Sequence, residues 1–153
     1  MSEKFEILRP FGPPIAKFNI PLRLVNKINK FVDETISDKN KSISLDVGSK
    51  LSGQVSQEIA LPKEIMEDEI LELFSRFTIS YVKETLNQKI NHFNLIQCWV
   101  VRQFKNEYNP IHWHNGHISG VGYLKVPDSF GDNIQKNKRA NKHGEISFIH
   151  GSK

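Results

Sequence analysis

Three observations on this 153-residue chain predict an α+β fold. Segments with apolar residues at helical spacing come first, segments rich in β-branched and aromatic residues follow, and no Gly-, Ser- or Pro-rich linker divides them. One domain spanning residues 1–153, built around one core, is therefore expected.

The first stretch, Phe5 to Ile20, places Pro10, Pro13 and Pro14 among short apolar runs, which predicts edge strands or extended chain rather than helix. Leu22, Val25, Ile28, Phe31 and Val32 then recur at helical spacing, so an amphipathic helix is expected from Pro21 to about Ile36, with Pro21 in the first turn. Ser37 to Leu61 is polar and reads as a long surface excursion. The clearest helix runs from Lys63 to about Gln88. Met66, Ile70, Leu73, Phe74, Phe77, Tyr81 and Val82 lie on one face, and glutamates crowd its start. That stripe is core.

Strands are expected over Phe93–Phe104, Ser119–Val126 (stopped by Pro127) and Glu145–Ile149 (bounded by Gly144 and Gly151). No internal repeat is visible, which excludes solenoids and propellers.

Composition narrows the function classes. With 38% hydrophobic and 25% charged residues, the chain is an ordinary globular one. Apolar runs are short, so no membrane span is expected, and the amino-terminal residues lack the pattern of a secretory signal. A cytoplasmic setting follows. The single cysteine, Cys98, has no partner for an internal disulfide and reads as a buried structural thiol. The formal charge of +4 does not argue for nucleic acid, because the lysines are scattered and the densest group, Lys136 to Lys142, lies in an Asn-rich loop.

Chemistry concentrates at Asn109-Pro-Ile-His-Trp-His-Asn-Gly-His117, where three of the six histidines fall within six residues. Imidazoles separated by one residue point to the same face of an extended strand, so one metal ion can touch both His112 and His114. Trp113 between them is expected to face the other way, into packing. His117 is out of phase and reaches the pair only if Asn115-Gly116 turns. The competing reading makes these histidines surface or capping groups bonded to backbone. No C-x-x-C or H-E-x-x-H spacing accompanies the pair, so the spacing does not choose between zinc and iron. A zinc-binding protein and a non-enzymatic β-sandwich binding module both remain open.

The stretch Glu107-Tyr-Asn-Pro-Ile-His-Trp-His-Asn-Gly-His-Ile-Ser-Gly-Val-Gly-Tyr-Leu-Lys-Val-Pro127 resembles the 2-oxoglutarate and Fe(II)-dependent oxygenases common in marine phages and bacteria. Trp99, Lys50-Leu-Ser-Gly-Gln-Val-Ser-Gln-Glu58 and Gly144-Glu-Ile-Ser-Phe-Ile-His-Gly-Ser152 extend the likeness over most of the chain. The resemblance implies N-terminal helices packed on a double-stranded β-helix jelly roll. It also implies a dioxygenase that hydroxylates its substrate, with Fe(II) as metal and 2-oxoglutarate as co-substrate. A phage-encoded member would act in the host cytoplasm. On this reading His112 takes the first ligand place and His114 the second, with His117 as a further candidate. Tyr123 and Arg102 are the candidate polar contacts to 2-oxoglutarate.

The pattern departs from the family in two ways. An imidazole, His114, stands where many relatives of the wider superfamily hold Asp or Glu, and a neutral ligand set binds Fe(II) less strongly. The family also continues into a distal histidine and a following basic residue, whereas His143 and His150 lie in no matching motif before the chain ends at Lys153. The expectation is a partial jelly roll lacking its last strands, with exposed sheet edges that favour oligomers and turnover only once a third ligand is supplied. The substrate is not legible.

Overall fold

The computed structural model describes residues 4–10, 12–67, 69–133 and 135–150. Met1–Glu3, and Gly151 and Ser152 of the quoted carboxyl-terminal stretch, lie outside them.

Strands β1 (Phe5–Leu8) and β2 (Ile15–Phe18) pair antiparallel, with Phe5 opposite Phe18 and Leu8 opposite Ile15. The proline-rich connection between them matches the expected extended entry to the chain. This hairpin docks on helix α4 (Glu69–Leu86), where the Phe5 and Phe18 rings stack on Phe77 at 5.4 and 4.1 Å between centroids. Two polar ties add to the apolar contact. The Tyr81 hydroxyl donates to the Pro14 carbonyl (2.9 Å), and Arg9 donates to that of Glu84 (3.1 Å).

Helix α1 (Leu22–Ser37) begins as expected at Pro21, whose carbonyl accepts from the amides of Leu24 and Val25. Its buried stripe is Leu24, Ile28, Val32 and Thr35, while Leu22 is exposed. Repeats of four residues from Leu24 follow the helix face more closely than the repeats of three that single out Leu22 and Val25. Packed against it, α4 buries Ile70, Leu73, Phe77 and Val82. Leu24, Ile28, Val32, Leu61, Ile70, Leu73 and Phe77 form one cluster. Burying one such side chain stabilises the fold by about 1.5–3 kcal/mol.

The predicted helix from Lys63 to Gln88 is two helices. A single turn, α3 (Lys63–Met66), stops at Glu67, whose ψ of 153° is extended, before α4. The predicted excursion between Ser37 and Leu61 is also structured. It holds helix α2 (Lys39–Leu45), capped by the Asp38 carboxylate accepting from the amides of Asn40 and Lys41, then a 3-10 turn (Gly48–Lys50) and strand β3 (Gln57–Ala60).

Strand β4 (Trp99–Arg102), shorter than the predicted Phe93–Phe104, pairs antiparallel with β3. Ser119–Val126 and Glu145–Ile149 are not strands. Neither finds a partner among the described residues, and a lone extended segment cannot satisfy its own backbone groups. The mixed α+β content stands, but the expected order of helices before strands does not, since β1 and β2 precede α1 and β3 lies between the helices; the described residues form two sheets of two strands each, fewer than a jelly roll needs. Beyond β4 the chain meets the helical core mainly at Leu124, which packs on the cluster and accepts at its carbonyl from Asn29 (3.2 Å). No described helix is long and apolar enough to cross a membrane.

Candidate metal centre

Alternation along β3 and β4 gives this sheet two unlike faces. Ile59 lies opposite Val100, and Leu61 donates to the Cys98 carbonyl. Leu61, Cys98 and Val100 belong to the helical core, and burial pushes the Cys98 thiol up from its ordinary value, consistent with an inert packing role. On the other face Glu58 lies opposite Val101, and Ala60 opposite Trp99. Glu58 and Trp99 therefore look the same way, away from the α1–α4 core.

The histidine segment is brought over that face by a tight reversal after β4. Asn106 takes a left-handed φ of 70°, and the Glu107 amide donates to the Phe104 carbonyl (3.1 Å). The Glu107 carboxylate then accepts from the amides of Phe104 (2.7 Å) and Ser56 (3.1 Å), tying the reversal to the segment before β3. A hydrogen bond from the Ser56 side chain, then those from the Phe104 and Ser56 amides, hold its pKa below the usual carboxylate value. Gln54 and Tyr108 exchange two backbone hydrogen bonds (2.8 and 3.3 Å), so the residues leading to His112 run beside those leading to Glu58.

His112 and His114 converge. Their Nε2 atoms are 3.1 Å apart and their rings meet edge to face at 4.7 Å. Since a carbonyl only accepts, the 2.7 Å contact from His112 Nδ1 to Pro110 O puts the ring proton on Nδ1, leaving Nε2 bare in the neutral ring. In the metal-free protein His114 Nε2–H then donates to it, and that proton must move to Nδ1 for a metal to bind His114 at Nε2. Burial, followed by the neighbouring His112, holds the His114 pKa below the ordinary imidazole value, so its ring favours the neutral form that metals bind. The Trp99 ring stands 5.7 Å from that of His114.

Both imidazoles suit a first-row metal. Two nitrogens bound at about 2.1 Å and at right angles to one another stand about 3 Å apart, close to the separation observed. The pair therefore fits two adjacent places of one coordination sphere. Among the described residues, however, no three His, Cys, Asp or Glu side chains stand together as a complete metal-holding group.

The other predicted site residues lie elsewhere. His117 is exposed beyond Gly116, which has a φ of 97°, and is not brought against the pair. Trp113 is 89% exposed, against the expectation that it packs, because none of the described residues forms a second layer over this segment. Arg102 donates to Gln57 Oε1 (3.1 Å) and lies over the Phe104 ring. Tyr123 donates to the Gly144 carbonyl (3.0 Å) in an open depression of about 580 Å³ shared with Val126, Phe130, His143 and Ile146.

One residue was not singled out from the sequence. Glu58 is 2% exposed and its Oε2 has no hydrogen-bond partner. Burial, then the nearby Asp46 carboxylate, raises its pKa, and His112 lowers it. The available signal was the alternation in Gln57-Glu-Ile-Ala-Leu61, which puts Glu58 on the face opposite Ile59 and Leu61.

No curated protein and no solved structure matches the chain. Residues 97–152, running from just before β4 through the whole histidine segment, match the family described as "Putative 2OG-Fe(II) oxygenase".

Proposed function

We propose that this chain carries the metal-binding part of a 2-oxoglutarate and Fe(II)-dependent oxygenase, with His112 and His114 as imidazole ligands. The observation that carries this reading is the 3.1 Å approach of the two Nε2 atoms, with His112 oriented by Pro110. The family match over residues 97–152 supplies the chemistry. In that chemistry the substrate C–H becomes C–OH while 2-oxoglutarate loses carbon dioxide to give succinate, each product taking one atom of dioxygen. Iron, when bound, supplies the centre at which dioxygen is reduced.

The protein's own part is to hold two neutral ring nitrogens on one side of the ion and leave the other positions open. The Pro110 carbonyl fixes the His112 tautomer, and Trp99 shields one side of the His114 ring. Arg102 and Tyr123 are the proposed contacts to the carboxylates of 2-oxoglutarate, Arg102 because its guanidinium makes one bond to Gln57 and keeps further donors. His117 remains a lesser candidate for the metal. The jelly-roll architecture belongs to this proposal too.

Anaerobic equilibrium dialysis against Fe(II) tests the reading. The wild-type chain is expected to retain about one equivalent, and His112→Ala to lose it. Equal iron content in wild type and His112→Ala defeats the proposal, and retention of Zn(II) with no Fe(II) at all favours a zinc-binding protein instead.

A further inference from the structure

We propose that Glu58 is a proton-operated latch: as a neutral acid it lets residues 46–54 close over the β3–β4 sheet, and on ionising it loosens that cover together with the run into His112. The inference does not depend on the metal reading above, and it concerns a side chain outside the matched stretch.

The cover is a backbone structure wrapped on β3. Asp46 bridges to Ile59, the Val47 amide donates to the Glu58 carbonyl (2.9 Å), and the 3-10 turn closes through bonds from Lys50 to Val47 (2.9 Å) and from Leu51 to Gly48 (3.1 Å). Farther along, Gln54 exchanges two backbone bonds with Tyr108, which ties the cover to the residues leading into His112.

The Glu58 carboxyl lies inside that wrap. It is 2% exposed, and its Oε2 has no hydrogen-bond partner. Glycine backbone stands on both sides of it. A Cβ at Gly53 would be 2.7 Å from Oε1, and one at Gly48 would be 3.4 Å from Oε2. The Gly48 amide, a donor on that wall, is given to Asp46 Oδ1 (2.8 Å). An ionised carboxylate here lacks the donors or the cation that would replace its hydration, and a buried acid so placed keeps its proton instead.

The surrounding charges act in the same direction. Asp46 Oδ1 would stand 3.1 Å from the same Gly48 Cβ, so this second carboxylate disfavours ionisation of Glu58 and is an acceptor for an Oε2 proton. Across the sheet Val101 is apolar, and Arg102 lies on the opposite face bound to Gln57 (3.1 Å). Lys50 of the cover is exposed, and the Glu107 carboxylate is held by the Ser56 and Phe104 amides. His112 favours the charged form of Glu58, but its ring nitrogens are taken by Pro110 and His114. Burial outweighs it and raises the Glu58 pKa.

A folded pKa above the unfolded one means that the folded chain holds this proton more tightly. The stability it contributes is fully present below the unfolded value of about 4.3 and is lost as pH rises through the folded one. Glu107 and His114 have the opposite sign, since both folded values are lowered. Ionisation would set two negative charges about Gly48 in a space closed to water, and the cover is the element that can lift to admit it.

Carboxyl ¹³C resonances of the wild-type chain labelled in glutamate, followed against pH, test the first step. The Glu58 midpoint is expected above about 4.3, and a midpoint at or below that value overturns the proposal. Urea unfolding of wild type, Glu58→Gln and Glu64→Gln tests the coupling to stability. Glu58→Gln keeps the shape of the neutral acid and cannot ionise, whereas Glu64 is exposed in α3. Between the ordinary and folded midpoints, the wild-type unfolding constant is expected to rise relative to that of Glu58→Gln by up to about tenfold per pH unit, with Glu64→Gln following wild type. A ratio that stays constant with pH overturns the proposal. Amide hydrogen exchange at Val47, Lys50, Leu51 and Gln54, corrected for base catalysis, reads the cover itself. Protection is expected to fall in wild type through the Glu58 midpoint and to hold in Glu58→Gln, and equal changes in both overturn the latch. Should Glu58→Gln not fold, the wild-type chain decides alone, because exchange and resonance must then change at the same pH, and separate midpoints overturn the latch.

Discussion

The indole of Trp99 stands 5.7 Å from the imidazole of His114, tilted by 43°, and so couples β4 to the candidate metal centre. An open-shell ion held by His114 would lie close to that indole and quench its emission. Trp113 is exposed between the two histidines and would report the same event, so the measurement uses Trp113→Phe. Co(II) is expected to quench the remaining emission saturably, and His114→Ala to abolish the effect. Undiminished quenching in His114→Ala would place the ion elsewhere.

His114 also sets a pH dependence. Its folded pKa lies below its unfolded value because of burial first and His112 second. The unfolded chain therefore binds the extra proton more readily, and stability falls as pH drops from the ordinary imidazole value of about 6.5 toward the depressed folded one. Denaturant midpoints of the metal-free protein are expected to fall over that window, and to fall less in His114→Asn. Metal affinity should weaken in the same direction, since proton and ion compete for Nε2. Parallel pH profiles for wild type and His114→Asn would remove His114 as the cause.

The carboxylate of Glu107 is the clamp that brings the histidine segment beside Ser56, and its pKa is depressed in the folded state by those hydrogen bonds. The sign is that of a stabilising carboxylate: its contribution is present above the unfolded value near 4.3 and disappears as pH falls through the folded one. Glu107→Gln is expected to lower the melting temperature at pH 7 and to converge with wild type in acid. A constant difference from pH 7 down to pH 3 would show that charge is not what the clamp uses.

These relationships divide by how locally they are encoded. The two long helices were legible because their periodicity serves a single packed stripe, as Ile70, Leu73 and Phe77 show, whereas the strand from which the spacing of His112 and His114 was argued does not form, and the two rings meet across an irregular segment. The β3 strand was not legible. Gln57 to Ala60 sits within a polar stretch, and its pairing with Trp99–Arg102 crosses about forty residues that no local pattern records. Glu58 was missed with it, because a buried acid looks like a surface one until its strand is known. Ser119–Val126 and Glu145–Ile149 failed for the opposite reason. Their residues favour strands, but strand propensity expresses packing against neighbours, and here the neighbours are missing from the described residues.

The contrast between those regions predicts unequal mutational costs. Ile70 is 1% exposed at the centre of the cluster, so Ile70→Ala should cost about 2–5 kcal/mol of unfolding free energy. Val121→Ala, at an exposed site in the unpaired segment, should stay within about 0.5 kcal/mol of wild type. A cost of several kcal/mol at Val121, measured by urea unfolding, would show that Ser119–Val126 is packed in solution.

Gly53 measures how tightly the Glu58 side chain is packed. Its φ lies outside the left-handed region, so alanine can adopt the backbone, and only the new Cβ matters. That carbon would meet Glu58 Oε1 at 2.7 Å and Asn109 Oδ1 at 2.8 Å. Asn109 is exposed and can swing into solvent, whereas Glu58 is buried and has little room to yield. Gly→Ala restricts the unfolded chain, a gain of about 0.4–1 kcal/mol, which offsets part of the roughly 1–3 kcal/mol cost of overpacking. Gly53→Ala is therefore expected to be measurably less stable than wild type in urea unfolding, by no more than about 2 kcal/mol. Gly120→Ala is the matched control, because a Cβ there meets nothing within 4 Å. Equal unfolding free energies for the two glycine variants would mean that the Glu58 carboxylate yields freely to the new Cβ.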